Sequence, residues 1–283
     1  MRASRALLAL VACSPLAALN AVARGGNYHL SPDIAYGPLA RQKLDVYTPA
    51  APPPSAAGWP VVVFFYGGSW NSGERSDYRF VGAALAERGI VAILADYRLY
   101  PEVRYPEFLN DAALALAWGL EHAQRLGGDA NRVFVMGHSA GGYNAAMLAL
   151  DARWLAPTGH RPNELAGWIG LAGPYEFLPL EPGPARPVFF HPDYPAGTQP
   201  IEHVTAGAPP AFLAAPSHDK VVSPERSTRA LAARLRGAGV PVELRMYDGI
   251  SHALLIGAFA RPLRGLAPVL DDVSEFVGRA PPR

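Results

Sequence analysis

Arg132-Val133-Phe134-Val135-Met136-Gly137-His138-Ser139-Ala140-Gly141-Gly142 is the stretch on which the reading of this chain turns. Its first half is apolar and β-branched, its middle is Gly-His-Ser-Ala-Gly, and small or helix-forming residues follow from Tyr143 to Leu150. That order predicts strand, sharp turn, helix. It fits G-x-S-x-G, in which a serine rides on a strained turn with its Oγ exposed. Glycines at 137 and 141 have no Cβ, so the turn can fold tightly against its neighbours. The pentapeptide alone also fits an ordinary strand-to-helix turn, and the rest of the chain has to decide between the two.

Outward from this turn the pattern repeats. Val61 to Phe65 and Ile90 to Leu94 are continuous apolar runs, as expected of strands buried on both faces of a parallel sheet. Gln42 to Tyr47 alternates polar and apolar, which predicts a half-buried antiparallel strand. Leu165 to Ala172, Ala211 to Ala215 and Val242 to Tyr247 read as further strands. Helical spacing is found over Asp77 to Arg88, over Pro106 to about Leu126 with proline at the first helical position, over Pro224 to Leu235 and over Pro268 to Val277. Strands alternating with helices predict a doubly wound, mostly parallel sheet with helices on both faces. Residues 49–60 contain five prolines and form a loop. The irregular segment 174–210, rich in proline and aromatics, is expected to act as a small cap or lid loop over a pocket.

A serine hydroxyl is a weak nucleophile at neutral pH. It needs a base within hydrogen-bond reach, and the base needs an orienting group. Around a nucleophile elbow the partners follow in chain order, acid then histidine. His252, just after the last predicted strand in Asp248-Gly249-Ile250-Ser251-His252, is the candidate base, because loops at the carboxyl ends of such strands converge on one site. Asp219, after the strand at 211–215, is the candidate acid, with Asp248 and Asp193 as rivals. His160, His191 and His203 lie in irregular segments and His122 in a predicted helix, so surface or structural roles suit them better. An oxyanion needs amide donors. The Ala140 amide and those of the glycine-rich loop Tyr66-Gly67-Gly68-Ser69-Trp70, at Gly67 and Gly68, are the candidates. His138 and His218 adjoin site residues and are expected to line the pocket; Trp70 and Tyr97 are expected either there or in the core.

Composition excludes other classes. Of 283 residues, 17% are charged and half are hydrophobic, and the net charge is +1 with no basic block, so neither disorder nor a nucleic-acid partner is indicated. No G-x-G-x-x-G follows a strand and no G-x-x-x-x-G-K-S/T is present; histidine and cysteine lack zinc-ligand spacing. No cofactor and no metal are therefore expected.

The single cysteine, Cys13, cannot form an internal disulfide. It follows a positive Met1 to Arg5 and an apolar Ala6 to Ala12, which read as a secretory signal over residues 1–23. Leu10-Val11-Ala12-Cys13 resembles the bacterial lipobox, with cleavage before a lipidated Cys13; Ala21-Val22-Ala23 offers the competing cleavage after Ala23, and an uncleaved end is the third possibility. Residues from about 14 to 35, and in particular 24–39, are expected to be a tether ahead of a catalytic domain at 40–283. Ser14 after the cysteine, with no aspartate, favours an exported outer-membrane lipoprotein facing the periplasm, with a secreted soluble protein as the alternative.

Gly137-His138-Ser139-Ala140-Gly141-Gly142, Phe64 to Trp70, Asp96-Tyr97-Arg98-Leu99, Asp219 and His252 together resemble the serine esterases of the α/β-hydrolase superfamily. The branch is that of carboxylesterases, hormone-sensitive-lipase-like and feruloyl-esterase-related enzymes, which also includes kynurenine formamidases. The likeness covers about residues 40 to 280. It implies an α/β-hydrolase fold and hydrolysis of small-molecule carboxylic esters, with short to medium acyl groups, through an acyl-enzyme and without a metal. Many relatives carry His-Gly-Gly where this chain has Tyr66-Gly67-Gly68, so the loop must be supported differently. An arylformamidase or a peptidase-like amidase, and a non-catalytic binding protein on the same fold, are the alternatives.

Overall fold

The computed structural model describes residues 15–23 and 25–279. Eight strands form one sheet: β1 (Tyr28–Ala35), β2 (Lys43–Pro49), β3 (Trp59–Phe65), β4 (Val91–Ala95), β5 (Gly128–His138), β6 (Gly167–Leu171), β7 (Ala211–Pro216) and β8 (Val242–Tyr247). Their spatial order is β1-β2-β4-β3-β5-β6-β7-β8. β1 and β2 are antiparallel, β2 pairs antiparallel with β4, and every later pairing is parallel. The continuous apolar runs are the central strands, with Val61 to Phe65 and Val133 to Met136 fully buried.

Among the described residues seven α-helices accompany the strands: α1 (Pro15–Ala23), α2 (Arg79–Glu87), α3 (Glu107–His122), α4 (Ala140–Leu150), α5 (Ala230–Gly237), α6 (His252–Gly257) and α7 (Val269–Arg279). Alternation along β3 explains how both faces are covered. Val63 faces α3, where Gly119 leaves it room; its neighbour Phe64 packs at a tilt against Tyr78, just ahead of α2. Every residue of α4 is buried, which its small side chains allow close to the sheet.

The expected tether is not one. Residues 28–35 form the edge strand β1 against β2, and α1 packs on α2. Asn20 makes that docking specific. Its Nδ2 donates to the carbonyls of Ser76 (2.9 Å) and Asp77 (3.0 Å), and its Oδ1 accepts from the Phe80 amide (3.1 Å). The alternation of β1 is broken by a bulge between Ser31 and Ile34, with Asp33 at φ 60°, which obscures a period-two pattern in the sequence. Cys13 lies outside the described residues. Among the described residues no helix is long and apolar enough to cross a membrane.

The predicted helix from Pro106 is shorter than expected: α3 ends at His122, and a 3-10 turn (Gln124–Leu126) leads to Gly127 at φ 76°. Segment 174–210 holds only 3-10 turns, at Pro187–Phe189 and Pro200–His203.

Candidate active site

The elbow is built by close approach. A Cβ on Gly137 would sit 2.0 Å from the Gly141 carbonyl oxygen, and one on Gly141 would sit 2.0 Å from the Phe65 carbonyl oxygen. No other residue fits either place without moving backbone. Ser139 therefore turns at φ 54°, ψ −120°, its amide donating to Leu171 O (2.9 Å) and its carbonyl accepting from the Tyr143 amide (3.1 Å). A positive φ at a residue with a side chain costs of order 1–3 kcal/mol and persists only where the surroundings impose it. The serine side chain makes no hydrogen bond among the described residues, and Ser139 lines a cavity.

Asp219 and His252 come together from two loops. His252 opens α6, whose N-cap Ser251 accepts from the Leu254 amide (3.3 Å). Its Nδ1 lies 2.6 Å from Asp219 Oδ2. The other Asp219 oxygen accepts from the amides of Val221 (2.8 Å) and Val222 (3.3 Å). Burial pushes this carboxyl upward, but the hydrogen bond and charge of His252 and the two amides outweigh it and hold the group below the usual carboxylate range. The rivals Asp248 and Asp193 are both exposed, and neither bonds His252.

His138 links the nucleophile to this pair. Its ring packs 4.8 Å from that of His252, and its Nε2 lies 3.1 Å from the His252 carbonyl oxygen. An Nε2–H donated there leaves Nδ1 as a bare lone pair, and Nδ1 is buried without a partner. Burial, and then the neighbouring His252, lower its pKa to about 3. His138 is thus a buried neutral strut under His252, and it is not among the residues that line the cavity. The consequence is measurable. In the unfolded chain His138 takes up its proton near pH 6.5, whereas in the folded protein it does so near 3. Between those values the unfolded state binds more protons, so stability falls as pH falls, by up to about 1.4 kcal/mol per pH unit. Denaturant unfolding of wild type and His138→Gln between pH 7 and 4 should show the variant's slope shallower by about one proton; parallel slopes would remove His138 as the cause.

The cavity beside Ser139 has a volume of about 380 Å³. Trp70, Phe177, Leu180, Val221 and Val222 supply apolar lining, and so do Pro174, Pro179, Pro182 and Pro184. The segment expected to cap a pocket thus reaches it with residues 174–185. Trp70 lines the cavity and donates Nε1–H to Asn144 Oδ1 (3.1 Å). Tyr97 does not line it: fully buried, it donates its hydroxyl to the Tyr66 carbonyl (2.8 Å) from beneath the loop. His218 is exposed and outside the cavity. The glycine-rich loop meets the cavity at Ser69 and Trp70, while Gly67 packs so closely that its Cβ position is 3.0 Å from Ser139 Cβ. Asn144 carries no sequence signal, because its role comes from its contact with Trp70 across 74 positions of chain. Among the described residues no cluster of three His, Cys, Asp or Glu side chains could hold a metal ion.

Comparison with known proteins agrees with this geometry. Residues 44–177 match the BD-FAE family. The carboxylesterase NlhH of Mycobacterium tuberculosis is 32% identical over 83% of this chain and 79% of its own length. The probable isoprenylcysteine alpha-carbonyl methylesterase ICMEL1 of Arabidopsis thaliana is 27% identical over 90% of this chain, which spans only 60% of that relative. The thermophilic esterase Est2 of Thermogutta terrifontis, solved with butyrate bound, superposes with a TM-score of 0.70 at 26% identity, over 90% of this chain and 94% of that one. A truncated carbohydrate esterase from gut microbiota, at 17% identity and TM-score 0.75 over 90% and 98% of the two chains, shares the fold. With the elbow at Ser139, the eight-stranded sheet and these relatives in view, the chain belongs to the esterases of the α/β-hydrolase superfamily.

Proposed function

We propose that the protein hydrolyses carboxylic esters of small molecules through an acyl-enzyme on Ser139. The observation that carries this reading is the 2.6 Å Asp219–His252 pair, with His252 packed on His138, the residue before a strained, unbonded serine that lines a largely apolar cavity. With Nδ1 held by Asp219, His252 keeps Nε2 free to take the Ser139 proton as Oγ attacks the ester carbonyl. The oxyanion that forms is held by the Ala140 amide and amides of the loop at Gly68 and Ser69, the Gly67 amide being engaged by the Tyr78 hydroxyl. Collapse breaks the ester C–O bond, and His252 returns the proton to the departing alcohol. Water, deprotonated by the same imidazole, then releases the acid and restores Ser139. Catalytic hydrogen bonds are often loose in an empty site and tighten with substrate, which suits the free Ser139 hydroxyl.

A cavity of about 380 Å³ suits short to medium acyl chains. Hydrolysis of p-nitrophenyl esters from two to twelve carbons, with arylformamides in the same screen, tests this. Ester turnover highest at short to medium length is the expected result. Arylformamide turnover exceeding that of every ester would establish the amidase alternative, and absence of any turnover the binding-protein one.

The proposal extends to the N-terminus: Cys13 is the lipidated first residue of a mature, exported protein held on the outer membrane. Supporting it, cleavage before Cys13 retains α1, whereas cleavage after Ala23 discards the three Asn20 hydrogen bonds and the buried Ala23. Each buried acyl CH₂ adds about 0.8 kcal/mol of membrane affinity, so two or more chains anchor firmly. Mass spectrometry of the N-terminal peptide from the native host should find acylated Cys13; an unmodified start at Arg24 or an intact Met1 would refute the anchor and leave the esterase reading standing.

A further inference from the structure

The loop from Tyr66 to Gly73 has an unusual backbone. Gly68, Ser69 and Trp70 have φ values of 125°, 51° and 58°, three positive angles in succession, two of them at residues with side chains. Such a conformation persists only when its surroundings over-determine it. From the cavity side the loop is held by Trp70 Nε1–H on Asn144, and its Trp70 carbonyl accepts from the Tyr100 amide (2.8 Å). Within the loop, the Asn71 and Ser72 amides donate to Gly68 O (3.0 and 3.1 Å).

From below, a single side chain ties its two ends. Arg41, half-buried, donates Nη2–H to the Tyr66 hydroxyl (3.0 Å) and to the Gly73 carbonyl, and Nε–H to the Tyr97 carbonyl (2.8 Å). The Tyr66 ring is stacked between Tyr97, at 4.8 Å, and Tyr78, at 5.7 Å. Burial, and then the Asp96 carboxylate, push its phenol well above the ordinary tyrosine range, so it stays protonated and neutral beside the guanidinium. The first and last residues of the strained loop are therefore bridged by Nη2 of one permanently charged guanidinium, whose Nε is anchored on the Tyr97 carbonyl.

We propose that Arg41 is a positioning residue for the reaction: by clamping Tyr66 to Gly73 it holds the loop amides aimed at the oxyanion formed at Ser139. The inference rests on the esterase reading above, and it gives the segment between β1 and β2 a part in catalysis although it touches no substrate. Lysine cannot replace it, because one ammonium cannot serve the Tyr66 and Gly73 acceptors of Nη2 and at the same time the Tyr97 carbonyl that Nε holds.

The test compares wild type, Arg41→Ala, Arg41→Lys and Tyr66→Phe, the last keeping the stacked ring and removing only the oxygen that Arg41 bonds. The readouts are p-nitrophenyl butyrate kinetics and amide hydrogen exchange followed by mass spectrometry on the 66–73 peptide. Arg41→Ala and Arg41→Lys should lower kcat about 10- to 100-fold, part of the cost of a lost oxyanion donor, with KM within about twofold. Exchange should accelerate in 66–73, and millimolar methylguanidinium should recover part of the kcat of Arg41→Ala. Tyr66→Phe should show a smaller loss in the same direction, which keeps the test open if Arg41→Ala folds poorly. Unchanged exchange in 66–73, or faster exchange with unchanged kcat, would overturn the proposal while wild-type turnover upholds the esterase reading. A wild type without turnover would overturn both, and the exchange data would then show whether the clamp exists as a structural device alone.

Discussion

Ser139→Ala should lower ester turnover by a factor of about 10⁴ or more and leave the fold intact. Ser139 sits at φ 54° where strand β5 becomes helix α4, and its side chain makes no hydrogen bond among the described residues. Removing Oγ therefore leaves no buried polar group unpaired, and the unfolding midpoint should stay near wild type. Relief of the left-handed strain is not expected, because alanine keeps its Cβ and the glycines at 137 and 141 keep the elbow packed. What is lost is the bond-forming atom. Activity that remains would reflect the oxyanion donors and binding alone, since members of a triad act as one unit. Steady-state turnover with covalent labelling by a fluorophosphonate makes the check. A variant that keeps a tenth of wild-type activity, or still takes the label, would place the nucleophile elsewhere.

Asp219→Asn should lower kcat by about 10³ to 10⁴, with KM little changed. The amide is isosteric, and its oxygen can still accept from the Val221 and Val222 amides. It can no longer offer a carboxylate to His252 Nδ1, so the imidazole settles in the wrong tautomer and has no charge to stabilise its protonated form. Asp248→Asn should change kcat little, because Asp248 is exposed and the bond to His252 belongs to Asp219. The pair of variants measured side by side checks the assignment: reversed effects would transfer the role to Asp248.

How far the chain could be read in advance followed from the range of the interactions. Val61 to Phe65 and Val133 to Met136 announce themselves because a strand buried on both faces must be apolar at every position. The elbow is legible because only glycine fits at 137 and 141, and Asp219 and His252 because they follow strands that converge at one sheet edge. β1 was hidden, since an exposed edge strand interrupted by Pro32 and a bulge has no clean alternation. Tyr97 and Trp70 looked alike in sequence, two aromatics flanking predicted strands. Packing separates them: one supports the loop from below, and the other forms the cavity wall. His138 and His218 likewise each adjoin a triad residue, yet one is buried against His252 and the other faces solvent.

The amino-acid order alone determined the doubly wound sheet, the strained serine turn and the two residues, Asp219 and His252, proposed as its acid and base, because each rests on local periodicity, on glycine sterics or on position after a strand. Only the tertiary structure decided how the glycine-rich loop is held and what walls the cavity. Arg41 meets Tyr66 and Gly73 across 25 and 32 positions of chain, and Trp70 meets Asn144 across 74. Contacts at such separations are products of the whole sheet closing, and no window of sequence contains both partners.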